Sequence, residues 1–479
     1  MRRHFYCLCL LISQIVFLNP AFADELPAVV KQKLKQHAIA DSAIGVFVQE
    51  IGANRPLLAV NADAALNPAS VMKLLTTYAG LELLGPAYTW PTVLYANGAI
   101  TDGVLHGDLV IKGYGDPKLD LENFWLLIHR LRQTGLHEIK GNLILDNTHY
   151  AIPSDDPGDF DGQPYRTYNV IPEALLVNYR ASTMHFFPQP DSNTVRVVID
   201  PLPGSIQIHN QLKLTRGLCG DWRNAMTIDV VADREASHFT VILKGHYSVQ
   251  CGKQSHMLSL QDSVSYIGDL FKHLWMQQGG IFHGDAVAGQ APQGLSPLKV
   301  YQSPPLAEIV RGINKFSNNI AARQLYLALG TGQSTLNNSP ATLAKSTAAL
   351  KHWLATKQLD FPELVVENGS GLSRKERISA RHMGQLLLAA FDSPVMPELI
   401  SSMPIASVDG TLKNRFSDTP VKGLAHLKTG ALNDVRALAG YLLNRQGKRV
   451  VIVFFVNHDK AGQSRDAMDA LVQWVYERS

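Results

Sequence analysis

The stretch NPASVMKLLTTYAGLEL at residues 67–83 begins with a serine and a lysine three positions apart, Ser70 and Lys73. The asparagine and proline before them suit the start of a helix, because asparagine can cap free N–H groups and proline is favoured in the first turn. Three residues make about one helical turn, so the Lys73 amine can reach the Ser70 hydroxyl. The apolar residues that follow predict a buried helix, which ends at the Gly-Pro pair at 85–86.

A lysine at the start of a buried helix costs free energy unless it is paired or functional. Burial disfavours the charged form and lowers the pKa of the amine, which makes the lysine usable as a base. The alternative is that Ser70 is an ordinary polar residue of the first turn and that Lys73 extends its amine to solvent. The serine and lysine alone therefore do not establish a catalytic site.

The N-terminus has the pattern of a secretory signal peptide, predicted over residues 1–23. Two arginines precede an apolar run from Phe5 to Leu18, and an Ala-Phe-Ala triplet precedes Asp24. A retained N-terminal anchor is the alternative. No later stretch approaches the roughly 20 apolar residues of a spanning helix, so no transmembrane anchor is predicted. We expect an exported protein that begins near Asp24.

The composition indicates how many domains the chain can form and argues against one class of partner. With 479 residues, 46% of them hydrophobic, the chain can form several cores, so more than one domain is expected. The formal charge of +3 falls by two without the signal peptide, and this weak charge gives no support to nucleic-acid binding. Cys219 and Cys251 remain in the mature chain and predict one disulfide in an oxidising compartment, with two free buried thiols as the alternative.

The two ends of the chain supply the strands of one predicted sheet. A hairpin is predicted at 44–50 and 57–60, and three further strands at 425–429, 436–443 and 449–456. Together they predict a five-stranded antiparallel sheet flanked by helices, in an α+β domain interrupted by an insertion. The predicted domains are this one at 24–94 and 263–479, an inserted mixed α/β domain at 95–180, and an inserted β-rich domain at 181–262 with both mature cysteines.

Two later tripeptides support a catalytic interpretation of Ser70 and Lys73. The first is SNN at Ser317–Asn319, where a helix begins, and the second is KTG at Lys428–Gly430, at the end of a predicted strand. With these three motifs in this order, the chain resembles the low-molecular-mass class C penicillin-binding proteins. The resemblance covers essentially the whole mature chain. It extends to VYQSPPL at 300–306, NGSGLS at 368–373 and GTL at 410–412, and to the separation of 244 positions from Lys73 to Ser317.

The chemistry of acyl transfer needs these residue types to converge. Ser70 is a poor nucleophile unless a base lies within hydrogen-bond reach, and neutral Lys73 is the predicted base. Ser317 can relay a proton between the two motif lysines and the leaving amine. Asn319 offers an amide for Lys73 and for a substrate carbonyl. Lys428 is the predicted cation for the terminal carboxylate of a peptide, and its charge helps to keep Lys73 neutral.

The resemblance also implies substrate contacts around these groups. Thr429 and Gly430 complete the binding strand beside the carboxylate, and the Ser70 and Ala431 N–H groups form the oxyanion hole. An acid of the inserted domain, Asp161, resembles the residue that meets the free amine of the substrate. Asp159 is the alternative for that role, because the loop can be aligned in two ways.

The resemblance implies a fold like that of β-lactamases and transpeptidases, and a periplasmic serine-type D-Ala-D-Ala carboxypeptidase. Endopeptidase cleavage of D-Ala-diaminopimelate cross-links by the same chemistry is also implied. The expected partners are peptidoglycan stem peptides and β-lactams, which acylate Ser70. A serine β-lactamase or esterase on the same fold and a non-catalytic wall-binding module are the alternatives. A peripheral membrane contact and the oligomeric state stay open.

No cofactor or metal is predicted. The 17 histidines show neither an HExxH motif nor a paired ligand spacing, so scattered polar or core histidines are favoured over a metal site.

Overall fold

The computed structural model describes residues 25–153, 156–201, 204–233, 238–331 and 339–478. The predicted signal peptide lies outside these residues. The described α-helices are α1 Ala28–Gln36, α2 Met72–Leu83, α3 Leu121–Arg132, α4 Ser263–Gln277, α5 Leu306–Phe316, α6 Asn319–Leu329, α7 Leu343–Thr356, α8 Ala380–Phe391, α9 Met396–Ser402 and α10 Arg465–Arg478. None of these helices is long and apolar enough to cross a membrane.

The strands fall into one group from each end of the chain and a larger group between them. The first eight are β1 Ile44–Glu50, β2 Leu58–Val60, β3 Pro91–Thr101, β4 Val104–Gly113, β5 Glu138–Ile139, β6 Leu143–Asp146, β7 Ser182–Gln189 and β8 Thr194–Asp200. The others are β9 Ile206–Asn210, β10 Lys213–Thr215, β11 Met226–Asp233, β12 His238–Ser248, β13 Gln254–Leu258, β14 Ile281–Phe282, β15 Ala286–Ala288, β16 Lys299–Gln302, β17 Ala425–Leu432, β18 Val435–Leu443 and β19 Arg449–Asn457.

The two ends of the chain close one five-stranded sheet in the order β17-β18-β19-β1-β2. All neighbouring strands are antiparallel, and β1 pairs with β19 so that Ile44 lies opposite Val456. The predicted sheet and the α+β fold are confirmed. Because the first and last strands are neighbours, the segment between β2 and β17 must leave the sheet and return to it.

Helices cover both faces of this sheet. In β19, Val450, Ile452 and Phe454 enter the core that contains α1 and α10 residues, whereas the alternate Val451, Val453 and Phe455 enter the core with α2, α5, α6 and α8. The alternation follows from the two-residue period of a strand. Residues 72–81 of α2 are all buried, as its nearly uniform apolar sequence predicts.

The mixed inserted domain extends further along the chain than predicted. Its seven-stranded sheet takes β3–β6 from before the β-rich segment and β14–β16 from after it. Helices α3 and α4 pack in the same core, which contains Leu127 and Phe271. Residues 263–302 therefore belong with this sheet, and the predicted boundary at 263 differs from the structure. The apolar face of α4 shows that the helix is buried, but its sequence does not say which sheet it covers.

The segment from β7 to β13 forms a separate β-rich core. Strands β13-β7-β8 make one sheet, and β9 to β12 make a second. Phe186, Trp222 and Tyr247 pack between them. A disulfide joins Cys219 to Cys251 across 32 residues of this domain, which confirms the predicted pairing.

The inserted part contacts the five-stranded domain at α6. Ile320 packs with Val170 and Leu176, and the Gln324 side chain donates a 2.7 Å hydrogen bond to the Glu173 carbonyl. These contacts tie the loop that follows β6 to the helix that begins at Asn319.

The disulfide gives a stability prediction. Replacing both Cys219 and Cys251 by alanine should destabilise the β-rich domain by about 3 to 4 kcal/mol, because closing a loop of this length restricts the unfolded chain. Differential scanning calorimetry should show a lower transition for the variant. Reductant should lower the wild-type transition similarly and leave the variant unchanged. Equal transitions of the oxidised wild type and the variant would contradict the expectation.

Candidate active site

Ser70 lies in a short turn that precedes α2. Residues Ala69–Val71 form a single 3₁₀ turn, and the α-helix proper begins at Met72, so Ser70 is one step outside the predicted first turn of the α-helix. Ala69 has a φ of 44°, in the sparsely populated left-handed region. Two asparagines hold this geometry. The Asn67 side chain accepts from the Ala69 N–H at 2.9 Å, and Asn457 bonds both backbone groups of Asn67.

Lys73 is fully buried and contacts three oxygen atoms. Its Nζ lies 2.9 Å from the Ser70 hydroxyl and 2.6 Å from the Asn319 side-chain oxygen, and it also contacts the Ser370 carbonyl. Burial and, second, the nearby Lys428 hold the pKa of Lys73 well below its ordinary value. A neutral amine has two N–H groups and one lone pair. The two carbonyl oxygens only accept, so the lone pair is left for the Ser70 O–H.

The second motif lysine, Lys428, is also fully buried and contacts Ser317. It donates to the Ser317 hydroxyl at 2.9 Å and to the Thr429 carbonyl at 2.7 Å. Desolvation lowers the pKa of Lys428 to about 7. Ser317 has a φ of 59°, and this single left-handed residue ends α5 just before α6 begins at Asn319. The break places the Ser317 hydroxyl and the Asn319 amide beside different lysines.

Buried polar contacts fix the end of α5. Lys315 is almost fully buried, and it donates to Asp409 at 2.5 Å and to the Met403 carbonyl at 2.9 Å. The preceding residue, Asn314, donates to the side-chain hydroxyls of Thr77 and Ser402. These contacts hold Ser317 against α2 and against the loop that contains Asp409.

Strand β17 is at the edge of the sheet and passes beside the Ser70 turn. A Cβ atom added to Gly430 would lie 2.6 Å from the Pro68 carbonyl oxygen, so this position requires a glycine for close approach. Ala431 follows and is exposed. The Thr429 hydroxyl is 2.7 Å from that of Thr411, a residue of the GTL segment to which the sequence alone assigns no role. A second hydroxyl thus lies beside the KTG strand.

The acidic loop after β6 reaches the same region through Phe160. The Arg374 guanidinium lies 4.7 Å from the centre of the Phe160 ring and donates to Asp434 at 2.8 Å. Asp161 is half-buried, and its carboxylate accepts from the Tyr168 hydroxyl at 2.7 Å and from the Asn169 amide at 2.8 Å. Asp159 is exposed.

Comparison with known proteins identifies the family. The model of the D-Ala-D-Ala carboxypeptidase 3 (S13) family matches residues 26–478. The chain belongs to this family. The resemblance drawn from the three motifs is thereby confirmed, and the chain is a hydrolase of the carboxypeptidase class.

Individual relatives agree in length and fold. The chain is 26% identical to the D-alanyl-D-alanine carboxypeptidase DacB of Haemophilus influenzae over 473 residues, which cover 97% of this chain and 95% of the relative. It is 27% identical to a D-alanyl-D-alanine carboxypeptidase of Actinomadura, with 95% and 86% covered. The crystal structure of penicillin binding protein 4 from Haemophilus influenzae matches with a TM-score of 0.75 at 23% identity, and covers 93% of this chain and 99% of that one. That structure supports the shared fold.

In this S13 family member, a buried glutamate holds the turn that contacts Lys73. Glu376 is fully buried, and one of its carboxylate oxygens accepts from the backbone N–H groups of Glu367, Asn368 and Gly369 at 3.0 to 3.1 Å. The turn that it holds presents the Ser370 carbonyl to Lys73. Burial raises the pKa of Glu376, and its negative charge opposes the lowering of the pKa of Lys73.

Sequence reasoning assigned Glu376 no role. A glutamate between charged residues in a Gly- and Ser-rich loop is ordinarily solvated, and its burial depends on the tertiary contacts of that loop. In the described parts of the chain, no three His, Cys, Asp or Glu side chains are grouped to hold a metal ion.

Replacing Glu376 by glutamine should change the pH dependence of the reaction. The amide oxygen can still accept from the three N–H groups, but the negative charge that raises the pKa of Lys73 is lost. We expect the acidic limb of the rate of Ser70 acylation by a fluorescent penicillin to move to lower pH. An unchanged acidic limb would contradict this role.

In Glu376→Ala the three N–H groups lose their acceptor, which should destabilise the fold by about 1 to 3 kcal/mol in thermal unfolding.

Proposed function

We propose that this protein is a serine-type D-Ala-D-Ala carboxypeptidase that forms an acyl-enzyme on Ser70. The contact that carries the proposal is the one between the Ser70 hydroxyl and the buried amine of Lys73 at 2.9 Å. A lysine with a strongly lowered pKa, fixed by two carbonyl oxygens, is suited to accept the serine proton. Membership of the S13 family supports the same reaction class.

Acylation begins when the Ser70 proton passes to Lys73 and the serine oxygen attacks the carbonyl carbon of the penultimate D-Ala. The Ser70 and Ala431 N–H groups are the proposed donors to the developing oxyanion. The close approach of Gly430 to Pro68 supports this pairing, because it brings the edge of β17 next to the Ser70 turn. The peptide C–N bond then breaks as the leaving nitrogen gains a proton.

Ser317 is the proposed donor of that proton. Its hydroxyl already bonds Lys428, which can replace the proton that Ser317 gives up. The protonated form of Lys428 is also the proposed cation for the terminal carboxylate of the substrate, with the Thr429 and Thr411 hydroxyls beside it. The released product is a free D-amino acid. Water then attacks the ester carbonyl and gives a proton through Ser317 to Lys428, while the Ser70 oxygen regains its proton from Lys73.

The substrate is proposed to be the stem peptide of peptidoglycan in the periplasm. Cleavage of D-Ala-diaminopimelate cross-links is proposed as a second activity, since it breaks an amide at the same D-Ala carbonyl. Asp161 is the preferred candidate for the amine of that substrate, because hydrogen bonds from two side chains fix its carboxylate, whereas Asp159 is exposed. β-Lactams are proposed to acylate Ser70 as mimics of D-Ala-D-Ala.

The acyl-enzyme is tested by replacing Ser70 with alanine. The wild type should be labelled by a fluorescent penicillin and should remove one D-Ala from muropeptides, and Ser70→Ala should do neither. Mass spectrometry of the digests reads loss of D-Ala separately from loss of cross-linked dimers. Equal labelling of both proteins would overturn the proposal. Rapid turnover of a chromogenic cephalosporin without D-Ala release would favour a β-lactamase instead.

The pKa of Lys428 gives a pH prediction for substrate binding. Below about pH 7 the free enzyme presents a cation, and this charge is lost as the pH rises through 7. We therefore expect kcat/KM for a peptide ending in D-Ala-D-Ala to fall above about pH 7, because kcat/KM reports groups of the free enzyme. The matched peptide amide lacks the terminal carboxylate and should show a smaller fall. The same fall for both peptides would argue against a carboxylate contact at Lys428.

A further inference from the structure

A groove of about 380 Å³ separates the loop at 162–166 from strands β11 and β13 of the β-rich domain. Arg166 lies on the loop, and Arg223 and His256 line the opposite side. We call this site the arginine groove. It does not include any motif residue, and the proposed reaction assigns it no role.

The Arg166 side chain is held in the groove by a neutral partner. Its Nη1 lies 3.2 Å from Nε2 of His256, so this ring nitrogen must accept and cannot carry a proton. The imidazole is 8% exposed. Burial, with the two arginines as the second cause, lowers the pKa of His256 to about 4, which keeps the ring neutral at physiological pH. The histidine orients the guanidinium without cancelling its charge.

The Arg223 side chain is placed in a similar way. Its guanidinium lies 4.8 Å from the centre of the Trp222 ring, and that ring is nearly perpendicular to the His256 imidazole. Within the described ranges, no carboxylate oxygen lies within 4 Å of the Arg166 or Arg223 guanidinium. Asp229 is the acid among the lining residues, and it pairs with Lys244 at 3.1 Å. Two positive charges therefore face the groove without an acidic partner.

From this arrangement we propose that the arginine groove binds carboxylates of the peptidoglycan peptide upstream of the scissile bond. The inference rests on the proposed function. The loop at 162–166 follows directly from Asp161, so a peptide whose amine reaches Asp161 continues next to the groove. A guanidinium binds a carboxylate through two parallel N–H groups, and two such groups suit a peptide with more than one acid.

Kinetics with two synthetic stem pentapeptides test the groove. Both end in D-Ala-D-Ala. They differ in whether the free carboxylate of the second residue is kept, in the glutamate peptide, or converted to a carboxamide, in the glutamine peptide. In the double variant Arg166→Gln, Arg223→Gln we expect KM for the glutamate peptide to rise about fivefold, the size expected for partly exposed charge pairs. KM for the glutamine peptide and the rate of labelling by penicillin should not change. Arg216→Gln, an exposed charge change elsewhere in the β-rich domain, is the matched control.

Direct binding separates this inference from the proposed function. Calorimetric titration of the glutamate peptide into Ser70→Ala measures affinity without turnover, with and without the two arginine changes. Equal affinities, or an equal loss for both peptides, would overturn the groove site even if Ser70 is the nucleophile. Arg223→Lys keeps the charge and should retain most of the affinity, and Arg223→Gln alone still tests the site if the double variant folds poorly.

Discussion

The structure depends on the burial of Lys73. Removing an ammonium group from water costs several kcal/mol, and a neutral amine avoids most of that cost. The site is built to accept the neutral form, because two acceptor-only oxygens, from Asn319 and Ser370, take its two N–H groups. The remaining lone pair has one neighbour, the Ser70 hydroxyl. The condition that makes the lysine tolerable inside the protein also makes it a base.

Bringing these groups together requires the whole chain. Ser70 comes from the turn before α2 and Lys73 from α2 itself, Ser317 and Asn319 come from the break between α5 and α6, and Lys428 comes from the edge strand of the sheet. Strand β17 and the Ser70 turn become neighbours because the first strand, β1, pairs with the last strand, β19. The two lysines then share a low-dielectric region, in which the charge of Lys428 disfavours protonation of Lys73. Two buried cations are avoided while Lys73 stays neutral.

The sequence predicted those parts in which local pattern and burial agree. Strand β19 is apolar on both faces, which suits a strand with helices on both sides. Helix α2 is apolar nearly all round, which suits a buried helix. Prediction fell short where several partners satisfy the same pattern. The apolar face of α4 can pack on any sheet. Residues 263–302 were therefore predicted to belong with the five-stranded sheet, whereas they pack with the seven-stranded sheet. Glu376 has no local signature, because its burial follows from a loop that folds over α2. The 3₁₀ turn at Ser70 depends on Asn457, nearly 400 residues away.

The contact between α6 and the inserted domain joins the proposed catalytic groups to the segment that follows the Asp161 loop. Asn319 begins α6, and Gln324 on the same helix bonds the segment that follows the Asp161 loop. Phe160 meets Arg374 in the loop whose Ser370 carbonyl holds Lys73. The Asp161 loop is thus fixed at both sides to elements that also position Lys73. An insertion attached in this way is suited to the proposed role of Asp161, because these contacts are made with the segments that support Lys73.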